Sequence, residues 1–267
     1  MTSHKPTILL TNDDGIYAAG IKHLWHALKD VAHVTVVAPL VEQSAVGMAT
    51  TLRQPLRIEK VRWEGDPERI WSVNGTPADC VKLALNSILV KKPDLVLSGI
   101  NRGSNAGRTA LYSGTVAAAI ESIMQEIPAI AFSCHDYHIE PDYQGAEKFA
   151  RHIVQYILAN PLPEGTLLNV NFPEKKLGPA KGFKMTHQGK EWWGEDLTER
   201  THPSEGHTYF WLGSKLRDVA NEDEGDGTWL RKGYITAVPI CVGDLTNYNH
   251  LKTAQNSFEN SFSNLFK

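Results

Sequence analysis

The chain has 267 residues, 42% of them hydrophobic, and a formal net charge of −3, so it can bury a large core and carries no bulk positive potential. Those totals exclude partners held mainly by non-specific electrostatics, such as duplex DNA or an anionic membrane surface. No apolar run approaches the roughly 20 residues that span a bilayer, and the opening MTSHKPT lacks the apolar stretch of a secretory signal.

In chain order, residues 7–12 read as a buried strand that stops at Asn12-Asp13-Asp14-Gly15. Residues 17–30 follow as a helix, with Ile21, Leu24, Trp25 and Leu28 on one face. HVTVVAP (33–39) is a second buried strand, leading into the small polar loop Gln43-Ser44-Ala45-Val46-Gly47. A helix is expected over 77–89, with Thr76 as N-cap, Pro77 in its first position and Asp79 in its third. PDLVLSG (93–99) and PAIAFS (128–133) are two further strands flanking a helix at about 113–125. Continuous apolar strands alternating with helices predict a three-layer α/β/α, Rossmann-like, mostly parallel sheet.

The last third changes character. LLNVNF, HQGKEWWGEDLTER, TYFWLG and GYITAVPICV predict antiparallel strands, including a protruding hairpin. Leu251, Ala254, Phe258, Phe262 and Leu265 predict a terminal amphipathic helix, packed on its own core or exchanged with a second subunit. Residues 1–175 are thus expected to form the α/β core that carries the site, and 176–267 an extension of the same fold. The three cysteines, Cys80, Cys134 and Cys241, lie in apolar segments without a CxxC pair and read as reduced core residues of a cytoplasmic protein.

If the sheet is parallel, the loops after the first, second and third long strands share one edge, where ligands bind. They would bring together Asp13, Asp14, Ser44, Asn101 and Asn105, an oxygen-only set without His or Cys. Such a set suits Mg²⁺ or Mn²⁺ and argues against zinc. A divalent ion also offsets the repulsion of two adjacent carboxylates. Ser113-Gly114-Thr115 opens a helix beside them, where free N–H groups and hydroxyls suit a phosphate. Hard metal and phosphate cradle together predict phosphoryl chemistry. GxxxxGK[ST] and GxGxxG are both absent, which argues against a Walker site and a dinucleotide oxidoreductase.

Other features read as structural: His135 and His138 as solvated loop residues, Trp192 and Trp193 as packing within a hairpin or subunit contact, and NEDEGDG as a solvated turn.

ILLTNDDGIYAAGI, APLVEQSAVG, VNGTPADCVKLAL, DLVLSGINRGSNAG, YSGTVAAAIES and IPAIAFS, in that order, resemble the SurE family, the survival-protein-E type of 5′-nucleotidase. GYITAVPICVGDLT adds a weaker match near the end. The resemblance implies a metal-dependent phosphatase that converts nucleoside monophosphates to nucleoside and phosphate. It places one divalent cation per subunit, Mg²⁺ or Mn²⁺, on Asp13, Asp14, Ser44 and Asn101. Asn105, Ser113, Gly114 and Thr115 fall at the phosphate-binding positions, and Asp13 or Asp14 would activate water or attack phosphorus. It further implies dimers or tetramers that exchange C-terminal segments. Thr109 and Ala110 depart from an Asp-Val pair found in many members, and Gly225, Asp226 and Thr228 depart from a Thr-Asp with a following His. A nucleotide-binding regulator of the same fold, without turnover, is the alternative.

Overall fold

Strand β1 (Thr7–Thr11) alternates its side chains across the sheet, with Ile8 and Leu10 on one face and Leu9 on the other, all fully buried. The computed structural model of the chain describes residues 5–65, 68–138, 143, 145–194, 196–213, 215–217, 224–262 and 265. After β1 come α1 (Ala19–Leu28), β2 (His33–Pro39), β3 (Ile58–Lys60), β4 (Ile70–Val73) and α2 (Pro77–Leu83). Next are β5 (Leu95–Arg102), α3 (Gly114–Met124), β6 (Ala129–Cys134), α4 (Ala146–Ala159), β7 (Thr166–Phe172) and β8 (Phe183–Met185). Then follow β9 (Trp192–Gly194), β10 (Thr198–Thr201), β11 (Thr208–Trp211), β12 (Lys215–Arg217), α5 (Asp226–Arg231), β13 (Ile235–Cys241) and α6 (Tyr248–Phe262).

Nine strands form one sheet in the order β3-β4-β2-β1-β5-β6-β7-β13-β8. The six strands from β4 to β7 in that order are parallel, while β3 pairs antiparallel with β4 and β13 antiparallel with β7. Helices cover both faces. On one, Ile21, Leu24, Trp25 and Leu28 of α1 and Ala150, Val154 and Ile157 of α4 pack on Ile8, Leu10 and Val36. On the other, Cys80 and Val81 of α2 and Val116, Ala118 and Ala119 of α3 pack on Leu9, Val37 and Val96. The expected three-layer α/β/α sheet is therefore the architecture observed. Its parallel part delivers the segments after β1, β2, β5 and β6 to a single edge, and that edge holds the candidate site.

The helix expected over 77–89 starts as read. The Thr76 hydroxyl accepts from the Asp79 N–H, and the Asp79 carboxylate accepts from the Thr76 N–H, a reciprocal capping box. It ends earlier, at Leu83, and continues as a π-helical turn over Ala84–Ile88. Helix α4 had no counterpart in the sequence reading, although Ala146, Ala150, Val154 and Ile157 form its buried stripe. Cys80 and Cys134 are buried, but Cys241 is exposed because it ends β13 at the sheet margin, a correction to its reading as a core residue.

Two two-stranded antiparallel pairs, β10–β11 and β9–β12, stand apart from the main sheet. The terminal helix exists, but no residue of α6 is buried, which corrects the expectation that it packs on its own core. Residues 221–223 of the acidic turn lie outside the described residues. Asp226, read as part of a solvated turn, instead opens α5 and is wholly buried. Among the described residues no helix is long and apolar enough to cross a membrane.

Candidate active site

Strand β1 ends with Thr11 and the buried Asn12, whose side-chain amide donates to the Gly15 carbonyl over 2.9 Å and folds the turn back on itself. This turn presents Asp13 and Asp14 at the sheet edge. Asp13 is buried, and its Oδ1 accepts a short hydrogen bond from the Thr115 hydroxyl at the start of α3. Its carbonyl accepts from the Gln43 N–H over 2.7 Å, which ties the loop after β2, and Ser44 with it, to the β1 turn. Asp14 Oδ2 accepts from the Arg102 N–H over 2.9 Å, which ties the same turn to the end of β5 beside Asn101.

Helix α3 reaches this site because of a single residue. A Cβ on Gly114 would stand 2.8 Å from the Asp13 Cβ and 3.0 Å from its Oδ2, closer than atoms pack, so only glycine lets the helix start touch the carboxylate. Ser113 caps α3 by accepting from the Val116 N–H over 3.1 Å, which leaves its own O–H proton to donate. The Thr115 hydroxyl, expected at a phosphate-binding position, donates to Asp13. In the first turn the Val116 N–H is taken up by Ser113 and the Thr115 N–H serves Asp13, at a helix end whose positive dipole favours an anion.

The amide of Asn101 donates to the Arg102 carbonyl over 3.2 Å and the Gly103 carbonyl over 2.8 Å. This commits its nitrogen and leaves Oδ1 as the atom that could ligate a cation. Ser44 is exposed and donates to Glu42 Oε1 over 2.6 Å, an oxygen that also lies 3.2 Å from the Arg102 guanidinium. Asn105 is held differently from the other candidates. Its side-chain amide donates to Ser133 over 2.7 Å, its N–H to Asn171 Oδ1 over 2.8 Å, and its carbonyl accepts from Asn169 over 2.9 Å. It sits on a polar shelf built by β6 and β7, and no described hydrogen bond joins it to Asp13 or Asp14.

Burial is the dominant electrostatic fact here. It pushes the Asp13 carboxyl above its ordinary value, against the hydrogen bond from Thr115. It also pushes Asp14 up, reinforced by the neighbouring Asp13 charge, to about 7. Two adjacent acids, one buried and one half-buried, both disfavoured as anions, with an amide oxygen and a hydroxyl on the neighbouring loops, are a donor set that a hard divalent cation fits. The linkage has a definite sign. Between about pH 4 and pH 7 the metal-free native state holds a proton on Asp14 that the unfolded chain has released, so stability falls as pH rises through that window. A shift of about 3 units bounds the effect at about 4 kcal/mol. Thermal melts in EDTA should therefore show Asp14 lowering the melting temperature from pH 5 to 7, with Mg²⁺ raising it more at pH 7 than at pH 5. A Mg²⁺ effect that shrinks as pH rises would contradict the assignment.

Sequence reasoning passed over several residues that shape this edge. Glu42 and Arg102 were overlooked because an exposed ion pair has no spacing signature. Asn169 and Asn171 are wholly buried in β7, and two buried carboxamides alternating in an apolar strand, Asn-Val-Asn, were the available signal. Asp226 accepts N–H groups from Gly189 over 2.8 Å, Gly227 over 3.0 Å and Gly107 over 3.1 Å, fastening α5 to the turn that follows Asn105. Burial raises its pKa, and those three donors oppose the shift. His135 is half-buried rather than solvated, with Nδ1 2.9 Å from the Ser104 hydroxyl and its pKa lowered by burial. The His138 N–H donates to Asp136 over 3.0 Å. Trp192 lies in β9, partly exposed, and the Trp193 side chain lies outside the described residues.

The sequence profile described as "Survival protein SurE" matches residues 8–195. Among curated proteins, the "5'-nucleotidase SurE" of Protochlamydia amoebophila is 54% identical over 257 residues, covering 96% of this chain and 98% of that protein. The "5'-nucleotidase SurE" of Christiangramia forsetii is 43% identical and covers 94% and 96%. The crystal structure of the SurE protein from Aquifex aeolicus superposes with a TM-score of 0.81 at 39% identity, covering 94% of this chain and 99% of that one.

Proposed function

The chain belongs to the SurE family, and from that premise we propose that the β1–α3 edge is the active centre of a 5′-nucleotidase. The activity is that of the family: hydrolysis of nucleoside monophosphates to nucleoside and phosphate, dependent on a divalent metal. The observation that carries the placement is the adjacent carboxylates at the end of β1: Asp13, buried and set against the start of α3 at Gly114, and the half-buried Asp14 beside it.

Asp13, Asp14, Ser44 and Asn101 would hold one Mg²⁺ or Mn²⁺. When bound, the ion offsets the paired negative charge and polarises the phosphoryl group. The chain's own residues then have separable tasks. Thr115 fixes Asp13 through Oδ1 and leaves Oδ2 turned to the helix start. Asp13 is accordingly the carboxylate assigned to the reaction, as base or nucleophile, with Asp14 completing the charge of the site. The first turn of α3 and the Ser113 hydroxyl receive the phosphate. Asn105, anchored by Ser133 and Asn171, offers its remaining amide hydrogen from a rigid support.

Further parts of this reading concern assembly. Residues 1–175 supply the catalytic core and 176–267 the extension used for association. Homodimers or homotetramers with exchanged C-terminal segments would cover Leu251, Phe258 and Phe262, which α6 leaves exposed within one chain. Free thiols at Cys80, Cys134 and Cys241 suit the reducing cytoplasm.

Phosphate release from a panel of nucleoside 5′- and 3′-monophosphates, measured with Mg²⁺ or Mn²⁺ and again with EDTA, tests the function. Release that EDTA abolishes and either ion restores is the expected result. Binding of a monophosphate without release under every metal condition would leave a regulator and overturn the enzyme reading.

A further inference from the structure

The β10–β11 hairpin lies outside the main sheet, and its turn holds a convergent group of three potential metal ligands among the described residues. His202-Pro203-Ser204-Glu205-Gly206-His207 places two imidazoles and a carboxylate within one reversal of the chain. We propose that this turn is a second metal site, binding a zinc-class divalent ion through His202, Glu205 and His207.

The three side chains already converge. One ligand atom from each lies within 4.8 Å of the other two. A tetrahedral ion with bonds of about 2.0–2.1 Å holds its ligands roughly 3.3 Å apart, so small side-chain rotations complete the geometry. The imidazoles of His202 and His207 stack, with ring centroids 4.8 Å apart and planes inclined by 16°. His207 Nδ1 lies 3.2 Å from Glu205 Oε2. His202 Nδ1 accepts from the Glu205 N–H over 3.1 Å, so its lone pair is turned towards the same residue. Both Nδ1 atoms thus face Glu205.

The backbone sets this arrangement before any ion arrives. The His202 N–H donates to the His207 carbonyl over 2.8 Å, and the Gly206 N–H donates to the His202 carbonyl over 3.0 Å. Gly206 takes a φ of +74°, which closes the reversal without the strain that other residues meet there. A turn fixed in this way loses little further freedom on binding. Loading requires His202 to exchange one hydrogen bond for the ion, and the released Glu205 N–H is exposed and passes to water.

The donor chemistry separates this site from the catalytic one. Two neutral imidazoles and one carboxylate suit Zn²⁺, with a fourth position left to water, whereas Mg²⁺ prefers oxygen alone. Occupancy would clip the hairpin turn shut without involving the phosphate chemistry.

Equilibrium dialysis of the full-length chain against Zn²⁺, in excess Mg²⁺, tests the proposal through bound zinc and needs no turnover. The parent and an Asp13→Asn/Asp14→Asn variant should each retain a zinc equivalent that His202→Ala/His207→Ala lacks. Glu205→Gln should weaken that binding by about tenfold or more. Co²⁺ in place of Zn²⁺ should give the intense visible absorption of a four-coordinate ion in the parent and lose it in the histidine variant. An unchanged metal-free melting temperature for that variant shows that the fold is intact. Equal zinc in the parent and the histidine variant, or its loss in the aspartate variant alone, would overturn the site.

Discussion

Asp13→Asn removes phosphate release, by at least about 10²-fold to 10³-fold in turnover, while leaving the metal-free chain as stable as the parent. The activity effect follows from taking away a carboxylate that faces the α3 start at the cation position. The stability effect follows from burial, which already disfavours the Asp13 anion. An amide oxygen can accept the Thr115 hydroxyl in place of the carboxylate and carries no charge to desolvate. Removing that charge also relieves Asp14, whose pKa it helps to raise, so Asp14 should ionise at lower pH in the variant. Steady-state phosphate release and melts in EDTA and in Mg²⁺ check all three points. Turnover within tenfold of the parent would sink the assignment of Asp13 to the reaction.

Asp226→Ala should give the largest loss of stability of any change considered. Its Oδ1 accepts from three backbone N–H groups, those of Gly189, Gly227 and Gly107, in a wholly buried position. Alanine orphans all three, and each buried unpaired donor costs about 1–3 kcal/mol, so a loss of about 4 kcal/mol or more is expected. Asp226→Asn is a milder change with its own logic. The amide oxygen can keep the Oδ1 contacts. The amide nitrogen then meets the Gly107 N–H, 3.3 Å from Oδ2, and the Gln188 amide, 3.5 Å away, both donors. About 1–2 kcal/mol is the expected cost. Urea unfolding of the two variants measures the difference, and an alanine variant within about 1 kcal/mol of the parent would refute the role of Asp226 as the clasp between α5 and the Gly107 turn.

The parallel core was legible because its signals are local and repeat. Apolar runs such as Ile8-Leu9-Leu10 and Val34 to Ala38 need two covered faces, and Thr76-Pro77 with Asp79 carries its cap in the sequence itself. Shared exit of the β1, β2 and β5 loops at one edge followed from the parallel sense alone. What escaped the reading depends on partners far along the chain. Asp226 looks like any acid in an acidic stretch until Gly107 and Gly189 fold against it. The hold of the Thr115 hydroxyl on Asp13, 102 residues away in the chain, has no local signature. Helix α4 was missed even though Phe149, Ile153, Val154 and Ile157 give it an apolar face as regular as that of α1, so this omission has no physical excuse in the sequence. The exposed face of α6 could not be told from a packed one, since an apolar period states that a face will be covered and not by what.

The place of β13 in the sheet has a consequence for how the chain is made on the ribosome. Strand β13 lies between β7 and β8, so the edge of β7 acquires its neighbour only after the whole β8 to α5 segment has been synthesised. Until then the nascent protein displays a fully buried type of strand, with unused backbone donors and acceptors, to its surroundings. Premature stop codons ahead of Ile235 should accordingly yield products that aggregate or recruit chaperones, even though every assigned ligand of the catalytic cation has already emerged.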